Sequence, residues 1–537
     1  MSVADAFRGS VARWGDRPFL CILPETAAAY GIEPGEITYA EAAQQVDRLQ
    51  AGYAGAQGRV GLMLDNRPDF FLHWLALNAV GVSVVPLNPD LRPAELDYLI
   101  AHSGLAYAVV TPVHWAKMAA AVERAPHAVS LRPADESHAP NEWPPLTPAL
   151  SLKGRGGSDI ECALLYTSGT TGKPKGCVLS NGYFLRAGRW YIEAGGLCAI
   201  RPGVDRLITP LPMVHMNAMA CSTMAMLLSG GCVIPLDRFH PRSWWDSVRE
   251  SRASIVHYLG VMPSMLLGAP ASPSDREHAV RFGFGAGVDR RHQAVFEERF
   301  GFPLLEAWAM TETGAGGCII ANHEPRRIGA ACFGQPGPEV ELRIVDESGA
   351  DVPDGTPGEL LVRAAGPDPR AGFFTEYLHD PDATAEAWAG GWFHTGDVIQ
   401  REPGGDLLFV DRRKNVIRRS GENISAVEVE SVLRRHPAVA DVAVAPTPDP
   451  VRGEEVLACI VPRGPTSPEL AAEIVVAALQ DLSYFKVPGW VAFVDALPLT
   501  ATNKIQRGEL KALAATLPGT PGCIDTRGEK SRARQLA

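Results

Sequence analysis

Apolar positions recur every three to four residues near the start of the chain, where Val3, Phe7, Val11 and Trp14 line one face of an amphipathic helix. Thr38-x-x-Glu41 forms a capping box that opens a second helix, with Val46, Leu49 and Tyr53 on one face. Short apolar runs then alternate with helical spacing. Arg59–Leu64, Ser83–Leu87, Arg206–Leu211, Cys232–Leu236, Ser254–Leu259, Arg281–Gly285 and Leu304–Met310 predict strands; Pro68–Val80 and Arg290–Phe300 predict helices. This βαβ rhythm predicts parallel sheets covered on both faces by helices. Around Phe333–Val362 the rhythm changes to short strands with Pro/Gly turns such as Asp351–Gly358, as in a small β-rich subdomain. A further module carries helices at Ala426–Arg435 and Pro468–Asp481 and strands at Val442–Pro446 and Val456–Val461.

The predicted fold class is α/β. A large N-terminal domain (1–411) has two helix-covered, mostly parallel sheets plus a small β-rich subdomain. A small, mobile α/β C-terminal domain (412–518) follows, and the polar, Gly/Pro-punctuated stretch 519–537 reads as a disordered tail. A length of 537 residues fits more than one core. The most apolar stretch, Met216–Leu236, is broken by Gly230-Gly231 and predicts a buried helix followed by a strand, so no membrane span is expected. Met1–Leu20 lacks a signal peptide's apolar core, and the ten cysteines include no Cys-x-x-Cys pair. Reduced thiols in a cytoplasmic protein are the expectation. A formal charge of −11 without a basic stripe argues against a nucleic-acid partner.

Tyr166-Thr-Ser-Gly-Thr-Thr-Gly-Lys-Pro-Lys-Gly176 follows the apolar run Ala163-Leu164-Leu165. Glycines let backbone N–H groups approach a polyphosphate while hydroxyls and ammonium groups meet its oxygens. It is not a Walker A loop: only two residues separate Gly169 from Gly172-Lys173, and Pro174 follows the lysine. This loop, His215, Ala286-Gly287 and Thr311-Glu312 all lie at predicted strand ends, where parallel sheets place ligand loops.

Four more segments follow in order: Trp308-Ala-Met-Thr-Glu-Thr313, Gly391-Trp-Phe-His-Thr-Gly-Asp397, Asp411-Arg-Arg-Lys-Asn-Val-Ile417 with Ser420-Gly-Glu-Asn-Ile424, and Leu499-Thr-Ala-Thr-Asn-Lys-Ile-Gln-Arg507. From about residue 5 to about residue 515 the chain resembles the adenylate-forming superfamily of acyl- and aryl-CoA synthetases, peptide-synthetase adenylation domains and luciferase. Within it, Gly285-Ala-Gly-Val-Asp289, Ala307-Trp308 and Asp411–Asn415 look most like the crotonobetaine/carnitine–CoA ligase branch. The resemblance implies an ATP-dependent acid–CoA ligase: acid and ATP give acyl-AMP, and CoA then displaces AMP. An adenylating enzyme serving a carrier protein or another acceptor is the alternative. Phe239-His240, where amino-acid-activating modules place Phe-Asp, and no carrier domain after residue 515 weigh against the carrier version.

The resemblance also implies roles. Thr167, Ser168, Gly169, Thr170, Thr171 and Lys175 would hold the ATP phosphates, with Lys173 equally readable as solvated. Thr311 would contact the α-phosphate and Glu312 would bind Mg2+. Ala286 and Gly287 would bind the cofactor beside the acid pocket, and Trp308 would pack on the adenine, though it could instead face a quaternary ammonium. Trp308 and Ala309 replace the usual Tyr and Gly. Asp397 would accept the ribose hydroxyls and Arg412 would make a second ribose or phosphate contact. His215 would border the substrate carboxylate, with a core or capping role as its alternative. Lys414 would be the hinge, and Lys504 would bring an ammonium to the adenylation site. Gly421, in Ser420-Gly421-Glu422, would line a coenzyme A channel, with Arg418 and Arg419 either near the CoA phosphates or solvated. The implied partner is a small-molecule carboxylic acid; a homodimer is left open.

Overall fold

The computed structural model describes residues 1–134, 157–167, 173–412, 416–498 and 505–530, with Asp411 and Arg412 placed by backbone alone. The chain divides into two compact units. One comprises Met1–Pro89, Ile100–Leu165 and Gly176–Asp411, and the other Asp90–Leu99, Tyr166–Lys175 and Arg412–Ala537. Two short segments from within the first four hundred residues thus group with the later unit.

The first unit is built on two large sheets. One has eight strands in the order Ile319–Ile320, Leu304–Trp308, Phe282–Ala286, Ile255–Leu259, Arg206–Thr209, Cys232–Pro235, Pro18–Ile22 and Gly35–Thr38. Its inner pairings are all parallel and only the two outermost are antiparallel. The other has seven, ordered Glu376–Tyr377, Lys175–Ser180, Glu161–Thr167, Ser83–Pro86, Arg59–Met63, Tyr107–Val110 and Ser130–Pro133. The predicted apolar runs are these strands, trimmed by a residue or two where a polar loop begins. An antiparallel four-stranded sheet of Val340–Val345, Gly358–Ala364, Phe393–Arg401 and Leu407–Arg412 is the small β-rich subdomain.

Helix Asp69–Ala79 is buried from Phe70 through Asn78, as a helix enclosed on all sides must be. Helix Val3–Trp14 buries Val3 and Phe7, and Ser2 and Asp5 cap its start reciprocally. The Thr38–Glu41 capping box forms as expected. From the same helix Tyr39 donates its hydroxyl to the carbonyls of Met226 and Gly231, at 2.9 Å each, tying helix to bend. The long apolar run resolves into a wide π turn at Asn217–Ser222, an α-helix at Thr223–Ser229 and the strand Cys232–Pro235. Hydroxyls sustain the wide turn: Ser222 donates to the Asn217 carbonyl (3.2 Å) and Thr223 to that of Ala218 (2.8 Å). No helix among the described residues is long and apolar enough to cross a membrane, and the cysteines there are free thiols, nearly all buried.

In the second unit, strands Glu422–Ser425, Val416–Arg419, Gly453–Pro462, Trp490–Phe493 and Cys523–Asp525 lie side by side, and Val439–Asp449 pairs with Gly453–Pro462. Val442 and Val444 face one apolar cluster while Ala443 and Ala445 face another, the two-residue period of a strand covered on both sides. One expectation is corrected here. The stretch read as a disordered tail is ordered through residue 530, because Cys523–Asp525 pairs antiparallel with Trp490–Ala492 and Lys530 is buried.

Candidate active site

The carboxyl ends of the parallel strands carry Thr167, His215, Ala286, Gly287, Trp308, Thr311 and Glu312 of the site residues named from sequence. Tyr258 pairs with Gly285, and Gly285 with Glu306, so neighbouring strands deliver Gly260, Gly287 and Trp308 to one edge. Gly287 has φ +76°, and a Cβ on Gly260 would stand 1.6 Å from the Gly287 carbonyl oxygen. Only glycine at 260 lets the two loops touch. Buried Glu306 then fixes the turn: its carboxylate accepts N–H bonds from Gly287 (2.8 Å) and Val288 (3.0 Å) and the Tyr258 hydroxyl (3.1 Å). Ala286 and Gly287 are therefore held in place by a side chain that no motif pointed to.

Trp308, at the end of its strand, donates its indole N–H to Asp397 Oδ2 at 2.9 Å. Asp397 is 0% exposed. The loop that delivers it is shaped by Thr395, whose hydroxyl donates to the Leu360 carbonyl (2.7 Å) and accepts the Asp397 N–H (3.0 Å). Gly396 takes φ +70°, and its N–H reaches Glu359 Oε1 at 3.1 Å. The Thr-Gly-Asp triplet thus turns a carboxylate inward from strand Phe393–Arg401, whose pairing register shifts there opposite Glu359–Leu361 of the neighbouring strand.

Thr311 and Glu312 follow Trp308 by three and four residues, on a turn closed by the Met310 N–H to Thr313 Oγ1 bond (2.9 Å). Tyr183 donates its hydroxyl to the Thr311 carbonyl, and Tyr377 donates to Glu312 Oε1, both at 2.9 Å. Burial, then the Glu312 charge, pushes the Tyr377 phenol far above its ordinary range, so it stays a donor. Tyr377 lies on the short strand that pairs with Cys177, just past the Gly-rich loop. Sequence reasoning missed Tyr183, Tyr377 and Glu306. A phenol or carboxylate reaching across such separations leaves no local spacing to find.

His215 is half-buried and precedes the π turn, its carbonyl accepting the Met219 N–H at 3.1 Å. A buried polar chain lies beyond it. His257 Nδ1 is 2.6 Å from Ser222 Oγ and 2.9 Å from Asn217 Oδ1, and Nε2 is 3.0 Å from the Tyr191 hydroxyl. The ring stacks on Phe284, centroids 4.7 Å apart. Burial drives the His257 pKa down to about 3, so the imidazole is neutral near pH 7.

Thr167 and Lys175 end the two strands that flank the Gly-rich loop. Ser168, Gly169, Thr170 and Thr171 lie outside the described residues, as do Lys414 and Lys504. Arg412 closes its strand by backbone alone. Gly421 belongs to the second unit, at a turn where Ser420 has φ +49° and Gly421 φ +91°. Trp308 and Asp397 are two predicted site residues joined by a direct bond.

Residues 7–369 match the AMP-binding enzyme family and residues 428–504 the AMP-binding enzyme C-terminal domain. The described residues 505–530 lie beyond that second match. A crotonobetaine/carnitine–CoA ligase of Citrobacter koseri is 31% identical over 501 residues, 89% of this chain and 93% of that one. Its Escherichia coli counterpart is 32% identical over 473 residues, covering 84% and 88%. Among solved structures, an amide bond synthetase from Marinactinospora thermotolerans superposes with TM-score 0.79 at 25% identity, over 96% of this chain and 100% of that one. A malonyl-CoA ligase product complex with methylmalonyl-CoA and AMP gives 0.74 at 28%, over 90% and 97%.

Two predictions follow from the geometry. Trp308→Phe keeps an aromatic ring but removes the donor to a buried carboxylate together with part of the indole volume, so urea unfolding should show a loss of at least about 2 kcal/mol. Unchanged stability would mean that the bond contributes nothing. For His257, both folded and unfolded states are neutral well above pH ~6.5. Below that the unfolded chain takes up a proton that the native state refuses until about pH 3, so stability falls as pH drops. Its share is about 1.4 kcal/mol per pH unit. His257→Gln should flatten the slope of stability against pH between about pH 6 and pH 4, measured by urea titration at each pH.

Proposed function

The chain belongs to the AMP-binding enzyme family, and on that premise we propose that it is an ATP-dependent carboxylic acid–CoA ligase. In the first step a carboxylate oxygen attacks the α-phosphorus of ATP, the bond to pyrophosphate breaks, and acyl-AMP forms. In the second the CoA sulfur attacks the acyl carbon, the C–O bond to AMP breaks, and the thiol proton is released as AMP leaves. The observation that carries this reading is the 2.9 Å bond from Trp308 to Asp397, which joins the adenine wall to the ribose acceptor.

The residues take these roles. Thr167, Ser168, Gly169, Thr170, Thr171 and Lys175 cradle the β- and γ-phosphates, and Ala286 and Gly287 border the adenine. Asp397 accepts the ribose hydroxyls, joined by Arg412. Thr311 meets the α-phosphate, and His215 borders the acid. Glu312 suits Mg2+, since a single carboxylate is what that ion needs when phosphates and water complete its shell. No group of three ligating side chains that would build an all-protein cage occurs among the described residues. Bound there, the ion would neutralise phosphate charge. Lys504 supplies an ammonium between carboxylate and α-phosphate. Rotation of the later domain about Lys414 then brings Gly421 and its neighbours to line the thiol path. A second acceptor reading, in which an amine takes the acyl group, is favoured by the likeness to the amide bond synthetase.

Crotonobetaine and carnitine, suggested by the names of the relatives, head the panel of acids to assay against plain short-chain acids. Pyrophosphate release without CoA and thioester on adding it is the expected result. Amide formation with a supplied amine, and no thioester with CoA, would reassign the acceptor. Lys504→Ala should slow adenylation about 10²–10³-fold while leaving thioester formation from supplied acyl-AMP near wild type. Equal loss in both steps contradicts the role given to this lysine.

A further inference from the structure

Glu455 sits in the second unit with 0% of its side chain exposed, and three positive groups surround it. Arg419 Nε donates to both of its oxygens at 2.9 Å, Lys530 Nζ donates to Oε1 at 2.7 Å, and Arg452 Nε stands 3.9 Å from Oε2. The Val456 N–H adds a third donor at 2.9 Å. Lys530, 1% exposed, also donates to the Val487 carbonyl. The chain passes so close over the carboxylate at Gly489 that a Cβ there would lie 2.5 Å from Glu455 Cδ. Lys530 is brought in by a docked segment: Thr526 donates its N–H to Gly489 (3.0 Å) and its hydroxyl to Pro488 (2.9 Å), and Arg527 lies over the Trp490 ring.

On the other side of Glu455, Arg419 ends the strand that runs straight into the Ser420–Gly421 turn. A non-glycine residue at φ +49° costs about 1–2 kcal/mol and persists only where its flanks are fixed. Its N-terminal flank is held twice, by the Ser420 N–H to Arg452 carbonyl bond at 3.0 Å and by Arg419 on Glu455, and beyond the turn Glu422 pairs back with Arg419. We propose that Lys530 is a positioning residue for thiol transfer: acting through Glu455, it clamps Arg419 and thereby holds the Ser420–Gly421 turn in shape. The functional half of this inference rests on the reading of that turn as part of the thiol path. Without the ammonium, Glu455 loses a donor and the Val487 carbonyl loses its partner, so the carboxylate and Arg419 are free to shift together. Displacements of that kind, an ångström or less, are costly in a reactive geometry.

The test compares Lys530→Met, which removes the charge, with Thr526→Val, which loosens the docked segment without touching the cluster. In Lys530→Met, hydrogen exchange at the amides of residues 418–422 should accelerate about tenfold. Pyrophosphate release with crotonobetaine and ATP should stay near wild type, while KM for CoA with supplied acyl-AMP rises about tenfold. Thr526→Val should move both readouts in the same direction by less, and it decides the matter if Lys530→Met does not fold. Unchanged exchange at 418–422, or equal losses in the two half-reactions, overturns the inference. A wild-type enzyme that forms no thioester with CoA counts against the proposed function instead, and the exchange measurement still judges the clamp.

Discussion

A carboxylate withdrawn entirely from water is tenable only where donors meet its oxygens, and Asp397 is the position on which the first unit's site turns. Its indole partner comes from a strand of the eight-stranded sheet, and Asp397 itself comes from the small antiparallel sheet. One buried hydrogen bond therefore ties two sheets of the unit together. Thr395 and Gly396 exist in that loop to aim the carboxylate, and Phe333 lies beside the indole, its ring centroid 6.1 Å away. The replacement of the family's usual tyrosine by Trp308 is thus compatible with an orienting bond as well as a stacking surface.

The same economy recurs at each loop of the edge. Glu306 holds Gly287, Tyr377 holds Glu312 and Tyr183 holds the Thr311 carbonyl. In each case a buried side chain outside the motifs bonds to a residue that the motifs single out. Rigid support of this kind allows short loops to present backbone groups and carboxylates without reorganisation when charge arrives.

Much of this was legible in the sequence, for identifiable reasons. Apolar runs such as Ile255–Leu259 and Phe282–Ala286 are buried on both faces, so they stand out without alternation. The Thr38–Glu41 cap and the Gly230-Gly231 bend are local and were read directly. What escaped was nonlocal or composition-masked. Glu306 and Tyr377 act across the fold, and the π turn differs from an α-helix by a single surplus residue. The segment around Cys523–Asp525 has too few apolar residues to announce a strand, yet Ile524 and Cys523 alternate onto opposite cores. Polar content misled there because the segment is held by pairing and by one buried ion pair rather than by a hydrophobic face.

The wide turn at Asn217–Ser222 also bears on how a helix changes which side chains one flank presents. A helix that carries one extra residue in a loop of its ladder can pass that residue along by exchanging successive carbonyl partners, and Ser222 and Thr223 already offer hydroxyls for the exchange. Each step rotates the side chains on one flank by roughly a hundred degrees while the helix beyond stays seated. A lineage can thereby change the groups on one flank without disturbing a single strand of the sheet.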